Sequence, residues 1–222
     1  QLYGISASPY ESLMIGIFTL HYGPPNDICL IEGYPKLSEL QIAYSRDGFH
    51  WSRPERTAFI PASRQENDSE RGYLRSTGGC CAIVGDRLYF YYSAFSGVAA
   101  DNRKHMYAGG STNVAFLRRD GFVSLNANSK EGQLLSRPVT FKGKNMFVNV
   151  ANTTGYLTVE ILDPMGKIIQ PFSSMNCVPI ATDSTNVQVK WRGIKDLSSL
   201  VDHEVRLRFR LMNGSFYSFW IQ

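Results

Sequence analysis

The sequence predicts an all-β fold: the last two blades of a β-propeller, followed by an antiparallel β-sandwich. Three observations carry that expectation. Helical periodicity is almost absent, the one candidate being a short turn over Lys195-Asp196-Leu197-Ser198-Ser199-Leu200. Apolar or alternating runs of strand length are separated by turn chemistry, as at Arg46-Asp47-Gly48, Gly85-Asp86, Asp120-Gly121 and Asn213-Gly214. Asp-Gly and Asn-Gly suit tight hairpins because both residues tolerate positive φ. The third observation is an internal repeat in the first half of the chain.

The repeat pairs Ile42-Ala43-Tyr44-Ser45-Arg46-Asp47-Gly48-Phe49 with Val114-Ala115-Phe116-Leu117-Arg118 and its closing Arg119-Asp120-Gly121-Phe122. An apolar strand precedes each copy, Leu13 to Leu20 and Leu88 to Ala94, and before those lie Leu2 to Ser6 and Cys80 to Val84. Inner, second, third and outer strand is the order of a four-stranded propeller blade. Two blades do not close a ring of about 4–8. Missing N-terminal blades or a companion chain are therefore expected as partners. Gln1 opens directly into apolar sequence, which predicts a processed or partial chain.

Residues 1–125 are assigned to the partial propeller. Asn126-Ala127-Asn128-Ser129-Lys130-Glu131-Gly132 is a polar joint, and residues 126–222 carry the sandwich. Its strands are expected at Gln133–Phe141, Asn145–Val150, Tyr156–Leu162, Val187–Trp191, Glu204–Leu211 and Phe216–Ile221. Alternation in Leu157-Thr158-Val159-Glu160-Ile161 and Val205-Arg206-Leu207-Arg208-Phe209-Arg210-Leu211 predicts strands wet on one face.

Composition narrows the function classes. A chain 43% hydrophobic and 19% charged has the core that disordered chains lack. Its formal charge of +4 is scattered, and the period-2 arginines read as a strand face, so no nucleic-acid partner is expected. Leu13-Met14-Ile15-Gly16-Ile17-Phe18 stops at Thr19, far short of a membrane span. Four cysteines and four histidines have no metal-ligand spacing, and no nucleotide or protease motif is present, so neither metal nor cofactor is expected. Cys80 and Cys81 read as thiols buried in a strand, with pairing to Cys29 left open. Sequons at Asn67, Asn152 and Asn213 offer glycosylation sites and point to an extracellular, secreted protein.

Several segments carry a family resemblance. They are Pro9-Tyr10-Glu11-Ser12-Leu13-Met14-Ile15-Gly16, Tyr44-Ser45-Arg46-Asp47-Gly48-Phe49-His50-Trp51, Gly78-Gly79-Cys80-Cys81, Gly85-Asp86-Arg87-Leu88-Tyr89-Phe90-Tyr91-Tyr92 and Leu117-Arg118-Arg119-Asp120-Gly121-Phe122. In the tail they are Phe147-Val148-Asn149-Val150, Val159-Glu160-Ile161-Leu162-Asp163, Asp183-Ser184-Thr185, Asp196-Leu197-Ser198-Ser199-Leu200 and Asn213-Gly214-Ser215-Phe216-Tyr217-Ser218-Phe219-Trp220. Together they span nearly the whole chain. The chain resembles a bacterial-type family of glycoside-hydrolase-like proteins similar to glycoside hydrolase family 32. That resemblance implies the C-terminal part of a five-bladed propeller with its sandwich. It also implies a secreted carbohydrate-active protein whose propeller face binds a glycan while the sandwich braces it. The family's nucleophile or base, stabilising Asp and acid Glu lie mostly on early blades. Enzyme activity is therefore not assigned to this chain. The alternative is a non-catalytic protein for glycan binding, adhesion or assembly, and a third reading is a lectin-like sandwich acting alone.

Strand order sorts the loops. The long ones, Tyr22 to Glu39, Arg53 to Thr77 and Phe95 to Thr112, gather on one face, where a propeller builds its site. Glycoside hydrolysis needs two carboxyl groups about 5–9.5 Å apart. That face offers Glu32, Glu39, Glu66, Asp68, Glu70 and Asp101, of which Glu70 is the catalytic candidate. Arg71, Arg75, His21, Tyr22 and His105 are the candidate carbohydrate ligands. A solvated charge or a structural histidine is the commoner role for each such residue alone. Trp51, Trp191 and Trp220 sit in apolar strand patterns, so core packing is expected of them. Ser45-Arg46-Asp47 superficially matches an Arg-Asp-Pro stabiliser, but Gly48 after it predicts a turn.

Overall fold

In a computed structural model that describes residues 1–79 and 81–222, the described residues form fifteen strands, one short α-helix and a single 3-10 turn at Ser198–Leu200, within the short turn expected over Lys195–Leu200. The strands pair into antiparallel sheets, so the chain is all-β as predicted. It divides into two compact units, Gln1–Leu117 and Arg118–Gln222, a division ahead of the polar joint at Asn126.

The first sheet of the first unit is a meander of β1 (Leu2–Tyr10), β2 (Leu13–Gly23), β3 (Leu37–Ser45) and β4 (Trp51–Ser52), in sequence order across the sheet. Residues Ile15 to Thr19 at the centre of β2 are buried on both faces, which is why the run up to Phe18 does not alternate with polar residues. The turn after β3 matches its chemistry. Ser45 Oγ accepts from the Gly48 N–H at 2.9 Å, and Asp47 Oδ1 accepts from the Phe49 and His50 N–H groups at 2.9 and 2.8 Å. Those bonds, the one from His50 first, hold the Asp47 carboxyl far below the usual range. Asp47 is a turn residue.

One helix lies outside the sequence expectations. α1 (Asn26–Glu32) stands inside the first long loop, starting after Pro25 and ending at Gly33 in the left-handed conformation (φ 70°). Seven residues are too few for a periodicity to emerge, but proline at the start and glycine at the end are its signals.

The second sheet departs from the repeat at both edges. β5 (Gly72–Ser76) and β6 (Ala82–Val84) both pair with β7 (Arg87–Phe95). Their registers run in one series, from Gly72↔Phe95 to Val84↔Arg87, so they form one interrupted inner strand. Cys80 lies outside the described residues, and Cys81 is half-buried between β5 and β6 rather than in a strand. β8 (Gly110–Arg118) also pairs with β7. The expected outer strand after Asp120-Gly121 is absent. Residues 119–124 are turn and coil, and the next strand, β9 (Leu125–Ala127), pairs in the sandwich instead. Ser38 Oγ donates to the Leu74 carbonyl at 3.2 Å and Ser76 Oγ to Ser6 Oγ at 3.2 Å, joining the two sheets within the unit.

The second unit is a seven-stranded sandwich. β10 (Gly132–Leu135), β14 (Arg206–Met212) and β12 (Tyr156–Leu162) make one sheet. β13 (Asp183–Gln188), β11 (Met146–Ala151), β15 (Gly214–Ile221) and β9 make the other. Val148, Val150, Leu157, Val159, Leu207, Phe209 and Phe216 fill the core. Trp191 joins that core and donates its indole N–H to the Val159 carbonyl at 3.1 Å. Trp51 lies across β2, where a Cβ on Gly16 would come within 2.7 Å of its ring. Trp220 stacks on Phe147 at 5.7 Å on a half-buried sheet face.

The expectation that β12 is wet on one face is corrected. Thr158 and Glu160 are buried, Glu160 to 2% exposure, because the Ser173–Cys177 turn covers that face. Glu160 pairs with Arg208 at 3.0 Å and Arg210 at 3.5 Å. Burial alone would raise its pKa. Hydrogen bonds from Ser174 and the two guanidinium groups carry it below the usual value. The Asn152 sequon is corrected too. That side chain is buried, its Nδ2 donating to Ile180 O at 2.8 Å and its Oδ1 accepting from Thr182 N at 2.9 Å, so no glycan fits on it in the folded chain.

Two substitutions test this account by urea unfolding. Leu207→Ala, at a fully buried inter-sheet position, is expected to cost about 2–5 kcal/mol. Asn152→Ala leaves Thr182 N–H unpaired and removes one of the two bonds to Ile180 C=O, and is expected to cost about 1–3 kcal/mol, against under about 0.5 for exposed Met165→Ala.

Candidate functional site

Antiparallel order brings the start of β1, the end of β2 and the start of β3 to one edge of the first sheet. The start of β5 and the end of β7 share the corresponding edge of the second. The long loops leave from these edges, as the strand order predicts. Here the structure gathers Tyr3, His21, Lys36, Tyr73, Arg75, Phe95 and Tyr107 into one cluster.

Lys36 is its centre. It precedes β3 and is only 2% exposed. Its Nζ donates to Tyr3 Oη at 3.2 Å and lies 5.1 Å from the ring centroids of Tyr3 and Tyr73 and 5.8 Å from that of Tyr107. Close approach of backbones places it there. A Cβ on Gly72 would stand 2.6 Å from the Lys36 carbonyl oxygen, and one on Gly97 2.5 Å from Pro35 Cδ. Arg75 donates from Nη1 to Tyr73 Oη at 3.1 Å, and its Cζ sits 5.5 Å from the Tyr3 centroid. His21 packs on Tyr3 at 5.7 Å and His105 on Tyr107 at 5.9 Å.

The electrostatics follow from this cage. Burial alone would push the Lys36 ammonium down, yet the bond to Tyr3 and the surrounding phenols carry it above the usual lysine value. The bond from Lys36 in turn holds the Tyr3 phenol below the usual tyrosine range. Burial, then the Lys36 charge, pushes His21 down, so its imidazole is neutral near pH 7. The His21 Nδ1 atom is buried and has no hydrogen-bond partner among the described residues.

Of the sequence candidates, His21, Arg75 and His105 meet at this cluster. Tyr22 does not. It follows His21 on β2 and so points to the opposite sheet face, where Arg64 bridges Tyr22 (5.9 Å to the ring centroid) and Glu39 (2.9 Å). Glu70 accepts from Tyr92 Oη at 2.6 Å, and burial followed by that carboxylate pushes the Tyr92 phenol well up. Arg71 donates to Ser96 O at 3.5 Å. The other loop carboxylates are likewise taken: Glu32 by Tyr34, Glu66 by Lys104, Asp68 by the Glu70 N–H and Asp101 by Arg103. Their partners are cations, phenols and amides, and no carboxylate faces another in these contacts. Asn67 is exposed in its loop and Asn213 half-buried in the β14–β15 turn. Sequence reasoning missed Lys36 and the three tyrosines. Pro35-Lys36 before an apolar strand, and aromatic residues at strand edges, were the available signals.

Cys29 and Cys177 are buried thiols, and among the described residues no cluster of His, Cys, Asp or Glu is suited to a metal. Among the described residues no helix is long and apolar enough to cross a membrane. The second unit has an open pocket of about 300 Å³ lined by Lys144, Gln188, Lys190 and Lys195 beside Trp191. Trp191 is buried there, so its ring face offers no stacking platform.

No family model and no curated protein matches the chain. Among solved structures it is similar to a glycoside hydrolase family 43 arabinoxylan arabinofuranohydrolase from Bacillus subtilis, solved in complex with cellotetraose. The identity is 10% and the TM-score 0.27, over 98% of this chain and 53% of that one. The chain thus spans about half the length of that protein, and a likeness of this degree assigns no activity.

The Lys36–Tyr3 bond has a titration signature. A phenol depressed in the folded state adds stability above its unfolded pKa near 10, and that increment is lost as pH falls through the folded value. In ¹³C-tyrosine NMR one phenol is expected to ionise below the ordinary range, and Lys36→Met is expected to return it there. No early-titrating tyrosine in the unaltered chain would contradict the bond.

Proposed function

We propose that the first unit binds a glycan on its long-loop face, as part of a secreted, glycoside-hydrolase-like protein in which further blades or a companion chain complete the propeller. The observation that carries this reading is the cluster of Tyr3 and Tyr107, each 44% exposed, over a cationic floor of Lys36 and Arg75. Sugars present apolar C–H faces and a fringe of hydroxyls. Sites that hold such ligands combine aromatic walls with a few fixed polar groups, and tyrosine supplies both. The exposed sequon at Asn67 is in keeping with secretion.

Binding is favoured over hydrolysis by this chain alone, because Glu70 and the other loop carboxylates are engaged by neighbours rather than paired across a cleft. A sandwich acting alone is disfavoured by the burial of Trp191 in the wall of its pocket.

Titration calorimetry of the chain against a panel of soluble oligosaccharides tests the reading. Tyr107→Ala is expected to weaken binding by about fivefold, equivalent to ~1 kcal/mol, without release of reducing ends by the unaltered chain. Binding unaffected by Tyr107→Ala would move the site elsewhere.

A further inference from the structure

We infer that the Arg75 face of the Lys36 cluster takes an acidic glycan, with the carboxylate of a uronic acid residue held on Arg75 above the buried Lys36 charge. This rests on the glycan reading above and names the substrate class. A buried charge is ordinarily paired, since leaving an ion out of water without a counter-ion costs several kcal/mol. Lys36 is buried and protonated, yet among the described residues neither it nor Arg75 has a carboxylate within ion-pair distance. The rings of Tyr3, Tyr73 and Tyr107 ease the Lys36 charge from its sides without neutralising it.

The hydrogen bonds of the cluster all run away from positive charge. Lys36 donates to Tyr3 and Arg75 donates to Tyr73, so both phenol oxygens act as acceptors. Two cations and two polarised hydroxyls at one strand edge present donors and no charged acceptor. A planar carboxylate suits the fork of Arg75, which is exposed and reachable, and Tyr3 links that fork to the Lys36 charge beneath. The half-exposed rings of Tyr3 and Tyr107 are left to cover the sugar that carries the carboxylate.

The test compares a tri-uronate with its carboxyl-reduced, neutral counterpart by titration calorimetry on the full chain, with acetate and inorganic phosphate as bare-anion controls. The tri-uronate is expected to bind at least tenfold more tightly than the reduced sugar, with the difference shrinking in 0.5 M salt as the Debye length falls from about 10 Å at 0.1 M to about 4 Å. Lys36→Met and the exposed Arg75→Gln are each expected to bring the ratio of the two affinities close to one. Arg75→Gln alone decides if Lys36→Met does not fold. Equal binding of both sugars overturns the inference and leaves the glycan reading standing. Binding of neither sugar overturns both. Acetate or phosphate competing as well as the tri-uronate would show an anion site without sugar recognition, and would also overturn it.

Discussion

The first unit is organised around one buried ammonium group. Lys36 stands at the mouth of β3 with its charge ringed by Tyr3 from β1, Tyr73 from β5 and Tyr107 from the loop before β8. To bury that charge the chain must bring four separate segments to one place, and it does so through glycines that let backbones touch. Gly72 lies against the Lys36 carbonyl and Gly97 against Pro35. The exposed phenols, the reachable guanidinium of Arg75 and the neutral His21 are arranged by that constraint.

The second unit solves the same physical problem in the opposite way. Glu160 is as deeply buried as Lys36, but it carries its own counter-charges in Arg208 and Arg210 and a hydrogen bond from Ser174. Glu131 completes the array by taking Arg210 at 2.9 Å and Tyr156 at 2.8 Å. An array of this kind, with each charge paired to an opposite one, contributes to strand register. One buried charge is paired with opposite charges within the chain, and the other is met among the described residues by phenols alone.

Much of the fold was legible in local pattern. The strands β2, β3, β7, β11, β12, β14 and β15 lie where alternation and apolar runs place them, and Ser45-Arg46-Asp47-Gly48 forms the turn its chemistry predicts. The misreadings are equally physical. Glu160 reads as a wet residue because alternation reports the pleat of a strand and not what covers its outer face. The Arg119-Asp120-Gly121 turn reads as a hairpin, but Leu125–Ala127 finds β15 as its partner, and partner choice between distant strands leaves no local trace. The Asn152 sequon is a three-residue pattern, whereas the burial that occupies its amide comes from Ile180 and Thr182 far along the chain.

The sequence by itself determined the fold class, the turns and the face on which the long loops gather, because each depends on residues within a few positions of one another. It also picked out His21, Arg75 and His105. Only the tertiary structure decided that these meet at Lys36, that Tyr22 turns away to Glu39 and Arg64, and that Glu70 is spent on Tyr92. A strand's period tells which residues share a face. Which faces and loop ends come together, and so which charges find partners and which do not, is set by packing between segments that are remote in sequence.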